Sequence, residues 1–326
     1  SSPSGGSSNK HIDMSLVEKG APKVKKVQGS SAKLGVPSVC KRTVKGGDAK
    51  PSTKDVVPGE GKGKATVWTA HDSPGPAASS KMLGWAKKID RCTILVKSCI
   101  TGKDKFHSKE WLFKGLKTST AKSNTKDLDK GDLGTCAIVG SGESILRVPY
   151  GAEIDAHETV IRYNSPITGF EKFVGTKTTI QIYKDAYHDK GLDEDSSAVG
   201  QPKFYMMNHV QAQREKPKLL KSGKPILLHR LGNENELMGI LSSYASGVEV
   251  QGIKKATKLK PTSGFMRAMG IIQSGLCTRV DLYGFSSGGG KYFHGNKDPF
   301  WWHYLPAEHY MLRLLMEQGK ACVYGD

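Results

Sequence analysis

From residue 135 onwards, short, mostly apolar and β-rich runs recur at 136–139, 159–162, 179–183, 204–207, 225–228 and 280–283. Runs of this length without polar alternation predict strands covered on both faces. Between them, residues 234–244, 263–274 and 306–318 are helical candidates. The last has Pro306 at a first-turn position, Glu308 just behind it, and Leu312, Leu314 and Leu315 on one side. Strands alternating with helices predict a mainly parallel α/β sandwich. Upstream the pattern weakens. Residues 93–96 predict a short strand, Trp111-Leu112-Phe113 suggests local packing, and 118–132 reads as a polar loop. Residues 1–75, rich in Ser, Gly, Lys and Pro, lack sustained periodicity and read as a flexible basic arm or stem. The folded unit is therefore expected at 76–326, with its motif-bearing core at 131–326.

Charge sharpens that division. The 326-residue chain has 49 Lys and Arg against 31 Asp and Glu, a net of +18. Residues 1–130 hold 26 basic and 11 acidic residues, so +15 of the excess lies there and only +3 in the remainder. Such an arm suits phosphate contacts. Its charges, however, are interspersed with Gly, Ser, Pro and Thr and lack regular aromatic stacking partners, which favours a solvated stem; no specific nucleic acid is expected. No window reaches the roughly 18 apolar residues of a membrane span. No signal peptide is visible, and the chain, starting at Ser1 without an initiator Met, is expected to be a piece of a longer one, with any membrane anchor in a segment absent here. The six cysteines, at 40, 92, 99, 136, 277 and 322, form no C-x-x-C, which argues against a zinc ribbon. Disulfides and buried thiols both fit the count.

Three places carry chemistry. Ile138-Val139-Gly140-Ser141-Gly142 is a strand running into a glycine turn, where backbone can approach a nucleotide closely. The dinucleotide fingerprint needs a third glycine at 145, where Ile145 stands, so a nicotinamide site is disfavoured and a plain tight turn competes with a nucleotide role. At Pro261-Thr262-Ser263-Gly264, either Thr262 or Ser263 can cap the following helix, whose first-turn N–H groups suit a phosphate or carboxylate. His303 and Glu308 are a titratable pair at the start of the last helix. A neutral imidazole there could take a proton from a hydroxyl nucleophile, and His294, nine residues earlier, could meet the same cleft as a cation beside a leaving phosphate. Metal readings are weak: Asp127-x-Asp129 and Asp193-Glu194-Asp195 lie in polar loops, and His303, Glu308 and His309 match no zinc spacing.

Taken in order, these blocks resemble the eukaryotic sialyltransferases (glycosyltransferase family 29). The large motif is carried by Cys136-Ala137-Ile138-Val139-Gly140, by residues 150–157, by Val160-Ile161-Arg162-Tyr163-Asn164, by Gly169-Phe170-Glu171 and by residues 174–179. The small motif is carried by residues 261–285, and the very small one by His303-x4-Glu308. The resemblance covers roughly residues 135–318 in pieces. It implies a Rossmann-like, GT-A-like fold and an inverting, metal-independent transfer of sialic acid from CMP-sialic acid, or of a related sugar from its CMP-sugar, to a galactose-terminated glycan, with no cofactor. It implies that Asn164, with Gly140 and Ser141, contacts the nucleotide. Thr262, Ser263 and Gly264 would hold the donor's anionic side, His303 would act as base, and Cys136 and Cys277 would be bridged. It also points to a Golgi-luminal domain behind a type II membrane anchor. Two departures stand out. The family's G-N-S-G turn is shortened here to Gly140-Ser141-Gly142, and its third motif survives only as Tyr292-Phe293-His294-Gly295. Both leave room for a CMP-Kdo donor or for a weakened, glycan-binding relative.

Overall fold

The structure is a computed structural model. It describes Cys40 and residues 76–88, 91–95, 99, 128–163, 166–183, 202–229, 236–240, 261–285, 292–293 and 305–324. In chain order these form helix α1 (Pro76–Lys87), strands β1 (Ile94–Leu95) and β2 (Gly134–Val139), and a 3-10 turn (Glu143–Arg147). Next come α2 (Gly151–Ala156), β3 (Thr159–Arg162), α3 (Glu171–Val174), β4 (Ile180–Ile182) and β5 (Phe204–Met207). The chain closes with α4 (His209–Arg214), α5 (Lys216–Ser222), β6 (Ile226–His229), α6 (Ser263–Ser274), β7 (Cys277–Tyr283), α7 (Leu305–Glu317) and β8 (Cys322–Tyr324).

The eight strands among the described residues make one sheet in the order β1-β6-β5-β4-β3-β2-β7-β8. β2 to β8 are mutually parallel, and β1 adds an antiparallel edge against β6. This bears out the expected α/β sandwich. The apolar runs become strands because both sheet faces are covered. On one side α1, α6 and α7 bury Met82, Phe265, Met269 and Met311 against Ile138, Ile161 and Leu282. On the other, α2 and α3 bury Ile154 and Val174 against Val139, Val160 and Tyr283, and α4 and α5 bury Ala212 and Leu219 against Tyr205 and Leu228.

From β2 the chain winds outwards through β3, β4, β5 and β6, then returns as α6 to place β7 on the other flank of β2. The winding therefore reverses at β2, and ligands of open parallel sheets settle at the carboxyl ends of strands at such a point.

The differences from the sequence reading are local. β7 starts at Cys277, three residues early, because Cys277 and Arg279 are only partly covered, Thr278 is exposed, and their polar texture hides the strand. α7 begins at Leu305. β8 and the short helices α2 to α5 carry too few residues for a period to emerge. Of the helix expected at 234–244, residues 236–240 are helical and the others lie outside the described residues. Cys40, within the stretch read as a free arm, is 6 % exposed and disulfide-bonded to Cys322 in β8, so the chain is fastened to the sheet at that point.

Candidate donor site

The β2 turn and the end of β7 are zipped together by their backbones. Gly140 N–H donates to Tyr283 O (2.7 Å) and Gly142 N–H to Gly284 O (2.9 Å). A Cβ at Gly140 would stand 2.7 Å from Gly284 O, and Gly284 itself has φ 72°. Glycine is thus required on both sides of this contact. From the turn, the Ser141 hydroxyl reaches across to Tyr163 O, just past β3, at 3.2 Å. The remnant of the third motif docks here too: Phe293 N–H donates to Ser141 O (3.1 Å), and Tyr292 bridges Gly142.

Helix α6 runs antiparallel to the strands it crosses, which brings its N-terminus to this same edge. Gly264 faces Tyr163 and Phe285, whose ring carbons would lie 3.8 and 3.9 Å from a Cβ built on it. Thr262 is the N-cap, its Oγ1 accepting from Phe265 N–H at 3.2 Å. Ser263 is exposed, and the N–H groups of Ser263 and Gly264 have no partner among the described residues. Two such donors at the positive end of a 12-residue helix form an anion-ready corner.

Glu308 holds that corner. It is 3 % exposed, in the first turn of α7. Its carboxyl group accepts from Thr262 N–H and lies 2.8 Å from Thr262 Oγ1. Burial pushes its pKa up to about 8, against the two Thr262 contacts, which pull it down. Glu308 thus faces the helix cap and positions it. The cysteines of the two motifs, Cys136 in β2 and Cys277 at the start of β7, form a disulfide with Cα atoms 5.9 Å apart. Cys92 and Cys99 also pair, so all six cysteines are bonded.

His303, His294, Asn164, Asp127 and residues 193–195 lie outside the described residues. Asp129 takes part in a local turn, its N–H donating to Asp132 Oδ2 at 2.8 Å. Among the described residues no three His, Cys, Asp or Glu side chains gather as a metal site would require.

Several polar residues behind the site escaped the sequence reading. Arg162, at the end of β3, is fully buried and donates from Nε to Lys177 O (3.0 Å) and Thr178 Oγ1 (3.1 Å). Burial lowers its pKa to about 10, with Asp155 pulling the other way, and it stays charged at neutral pH. Tyr283 OH donates to Glu153 (2.8 Å), and His157 contacts Asp281 (3.0 Å). The only signal in the sequence was a polar residue inside or flanking an apolar run.

An open parallel sheet whose glycine turn and capped helix start converge at its switch point has the architecture of a nucleotide-binding α/β protein. The chain belongs to glycosyltransferase family 29 (sialyltransferase), whose model matches residues 100–320. It is 34 % identical over 166 residues to bovine (Bos taurus) beta-galactoside alpha-2,6-sialyltransferase 2, covering 46 % of this chain and 33 % of that protein. Chimpanzee (Pan troglodytes) CMP-N-acetylneuraminate-beta-galactosamide-alpha-2,3-sialyltransferase 1 is 28 % identical over 178 residues, covering 53 % and 50 %. The chain thus spans a third to a half of the length of these relatives. Among solved structures, that of a mammalian sialyltransferase in complex with Gal-beta-1-3GalNAc-ortho-nitrophenol is similar at a TM-score of 0.46 and 15 % identity, covering 79 % of this chain and 97 % of that one.

Proposed function

We propose that this chain transfers sialic acid from CMP-sialic acid to a hydroxyl of a galactose-terminated glycan, with inversion and without a metal. The observation that carries the reading is the pair of N–H groups at Ser263 and Gly264 without a partner among the described residues, set at the switch point beside the Glu308-held cap, on a helix whose far end leads into the Cys136–Cys277 bridge. Phosphate oxygens of the donor accept from these N–H groups, while Asn164 and the Gly140–Ser141 turn hold the nucleotide. CMP leaves as a monoester, a modest charge that a helix start and a protonated His294 are suited to neutralise. As the sugar–phosphate bond breaks, the sugar gains oxocarbenium character. His303 takes the acceptor hydroxyl's proton on the opposite face, and the new bond forms with inversion.

Three disulfides fit an oxidising lumen, and we place the domain in the Golgi behind an anchor outside this sequence. No helix among the described residues is long and apolar enough to cross a membrane.

The decisive measurement is release of CMP from CMP-sialic acid with a galactose-terminated acceptor, in EDTA. His303→Ala is expected to abolish transfer and leave CMP binding intact. Normal transfer by that variant refutes the assigned base. Turnover of CMP-Kdo in place of CMP-sialic acid corrects the donor, and absence of CMP affinity in the wild type leaves a glycan-binding relative.

A further inference from the structure

His157 sits in the buried layer between α2 and the sheet, 8 % exposed, and both ring nitrogens face acceptors. Nδ1 lies 3.0 Å from the carbonyl oxygen of Glu153, and Nε2 lies 3.0 Å from Asp281 Oδ2. A backbone carbonyl can only accept. The Asp281 carboxylate also only accepts, and its other oxygen takes the Nε–H of Arg279 at 2.9 Å. A neutral imidazole carries one N–H and would leave a lone pair pointed at one of these oxygens; only the imidazolium satisfies both. We infer that His157 is held as an imidazolium and is a positioning residue that locks α2 to β7 across β2, so that donor affinity is proton-linked. The donor half of this statement rests on the sialyltransferase reading; the protonation half does not.

The geometry shows what the lock holds. α2 is fastened to β7 at two points, by His157–Asp281 near its C-terminal end and by the Tyr283 OH–Glu153 bond near its start. Tyr283 is the residue whose carbonyl receives Gly140 N–H, and Gly284 follows it. The helix leads into β3 and so to Tyr163, which carries the Ser141 contact and faces Gly264. One ring thus ties together the two chain segments whose ends form the donor corner.

The charged and titratable groups around the ring come from every neighbouring element. Glu153 lies on α2, and Asp281, Arg279 and Tyr283 on β7, with the Tyr283 ring edge-on at 6.0 Å. Tyr324 on β8 stacks on Tyr283 and accepts from Arg279 at 3.0 Å. Lys177, beyond α3, donates from Nζ to the His157 carbonyl. Burial works against the charge and Arg279 repels it. The Asp281 and Glu153 acceptors outweigh both, and the pKa is raised above the ordinary 6.5. A raised pKa in the folded state means the lock is complete below the ordinary value and is lost as pH rises through the folded one. Donor affinity follows the same course.

The test has two arms. In the intact disulfide-bonded protein with ¹⁵N-labelled histidine, the His157 resonances (assigned with His157→Gln) are expected to show protons on both ring nitrogens at pH 6.5, and on one nitrogen for Asp281→Asn. A neutral ring in the wild type at pH 6.5 overturns the inference. In the second arm, CMP binding is measured by equilibrium dialysis across the ring's titration. The wild-type dissociation constant is expected to rise roughly tenfold, the scale of one charge-assisted hydrogen bond. His157→Gln is expected to sit at the weak end at every pH, with kcat at saturating donor changed by less than about twofold. Wild-type affinity in His157→Gln, or a lost kcat with unchanged KM, overturns the positioning role. If the wild type binds no CMP at any pH, the sialyltransferase reading fails and the donor linkage with it, whereas the protonation state is still decided by the spectrum.

Discussion

Replacing Glu308 by Gln is expected to change how stability depends on pH more than it changes the structure. Thr262 donates twice to this carboxyl group, from its N–H to one oxygen and from Oγ1 to the other at 2.8 Å, and the neutral acid can accept both. The amide introduced by Glu308→Gln keeps both contacts, its carbonyl accepting the N–H and its N–H₂ donating to Oγ1, so that only the direction of the second bond changes. What disappears is the ionisation. The folded carboxyl keeps its proton up to about pH 8, against an ordinary value of 4.5. Between those values the folded state binds more protons than the unfolded one, so stability falls as pH rises. The slope approaches about 1.4 kcal/mol per pH unit, and the full span comes to about 5 kcal/mol. Urea unfolding with disulfides intact, repeated from about pH 5 to about pH 8.5, is the assay. Wild type and Glu308→Gln should nearly coincide at the acid end and diverge above, with the variant about 3–5 kcal/mol more stable at the alkaline end. Parallel curves would refute the claim that this carboxyl is protonated in its contact with the helix cap.

Two further outcomes concern the scaffold. Replacing Cys136 and Cys277 together by Ser removes a bridge spanning 141 residues; the chain-entropy argument gives a loss of about 4–5 kcal/mol, read from urea midpoints, and a loss under about 1 kcal/mol would contradict it. Gly140→Ala drives a methyl group to 2.7 Å from Gly284 O and is expected to cost about 1–3 kcal/mol and weaken CMP binding, whereas Gly239→Ala, with open space around it, is expected to be neutral or slightly stabilising.

Local chemistry was legible where one segment suffices. The β2, β3 and β7 runs are mostly apolar over their buried stretches because both faces are covered, Arg162 and Asp281 being the charged exceptions, and their texture announces a parallel sheet. α6 carries its own start signal in Thr262 and its own stop in Gly275, which is left-handed at φ 67°. The glycine turn and the helix start could therefore be named before any coordinates. β8 could not, since three residues after a helix carry no period. Nor could the role of Glu308: in sequence it is an acid five residues from a histidine, and only packing shows it spent on a helix cap.

The amino-acid sequence by itself determined the strand and helix alphabet, the family and the segments of the candidate donor site, because propensity, apolar runs and motif spacing are properties of neighbours along the chain. Only the tertiary structure decided which distant groups meet. Cys40 bonds Cys322 across 282 residues, and His157 reaches Asp281 across 124. The protonation of His157 and the raised pKa of Glu308 follow from burial and from partners that the fold supplies. A titration is set by surroundings, and those surroundings exist only once the sheet has closed its two faces.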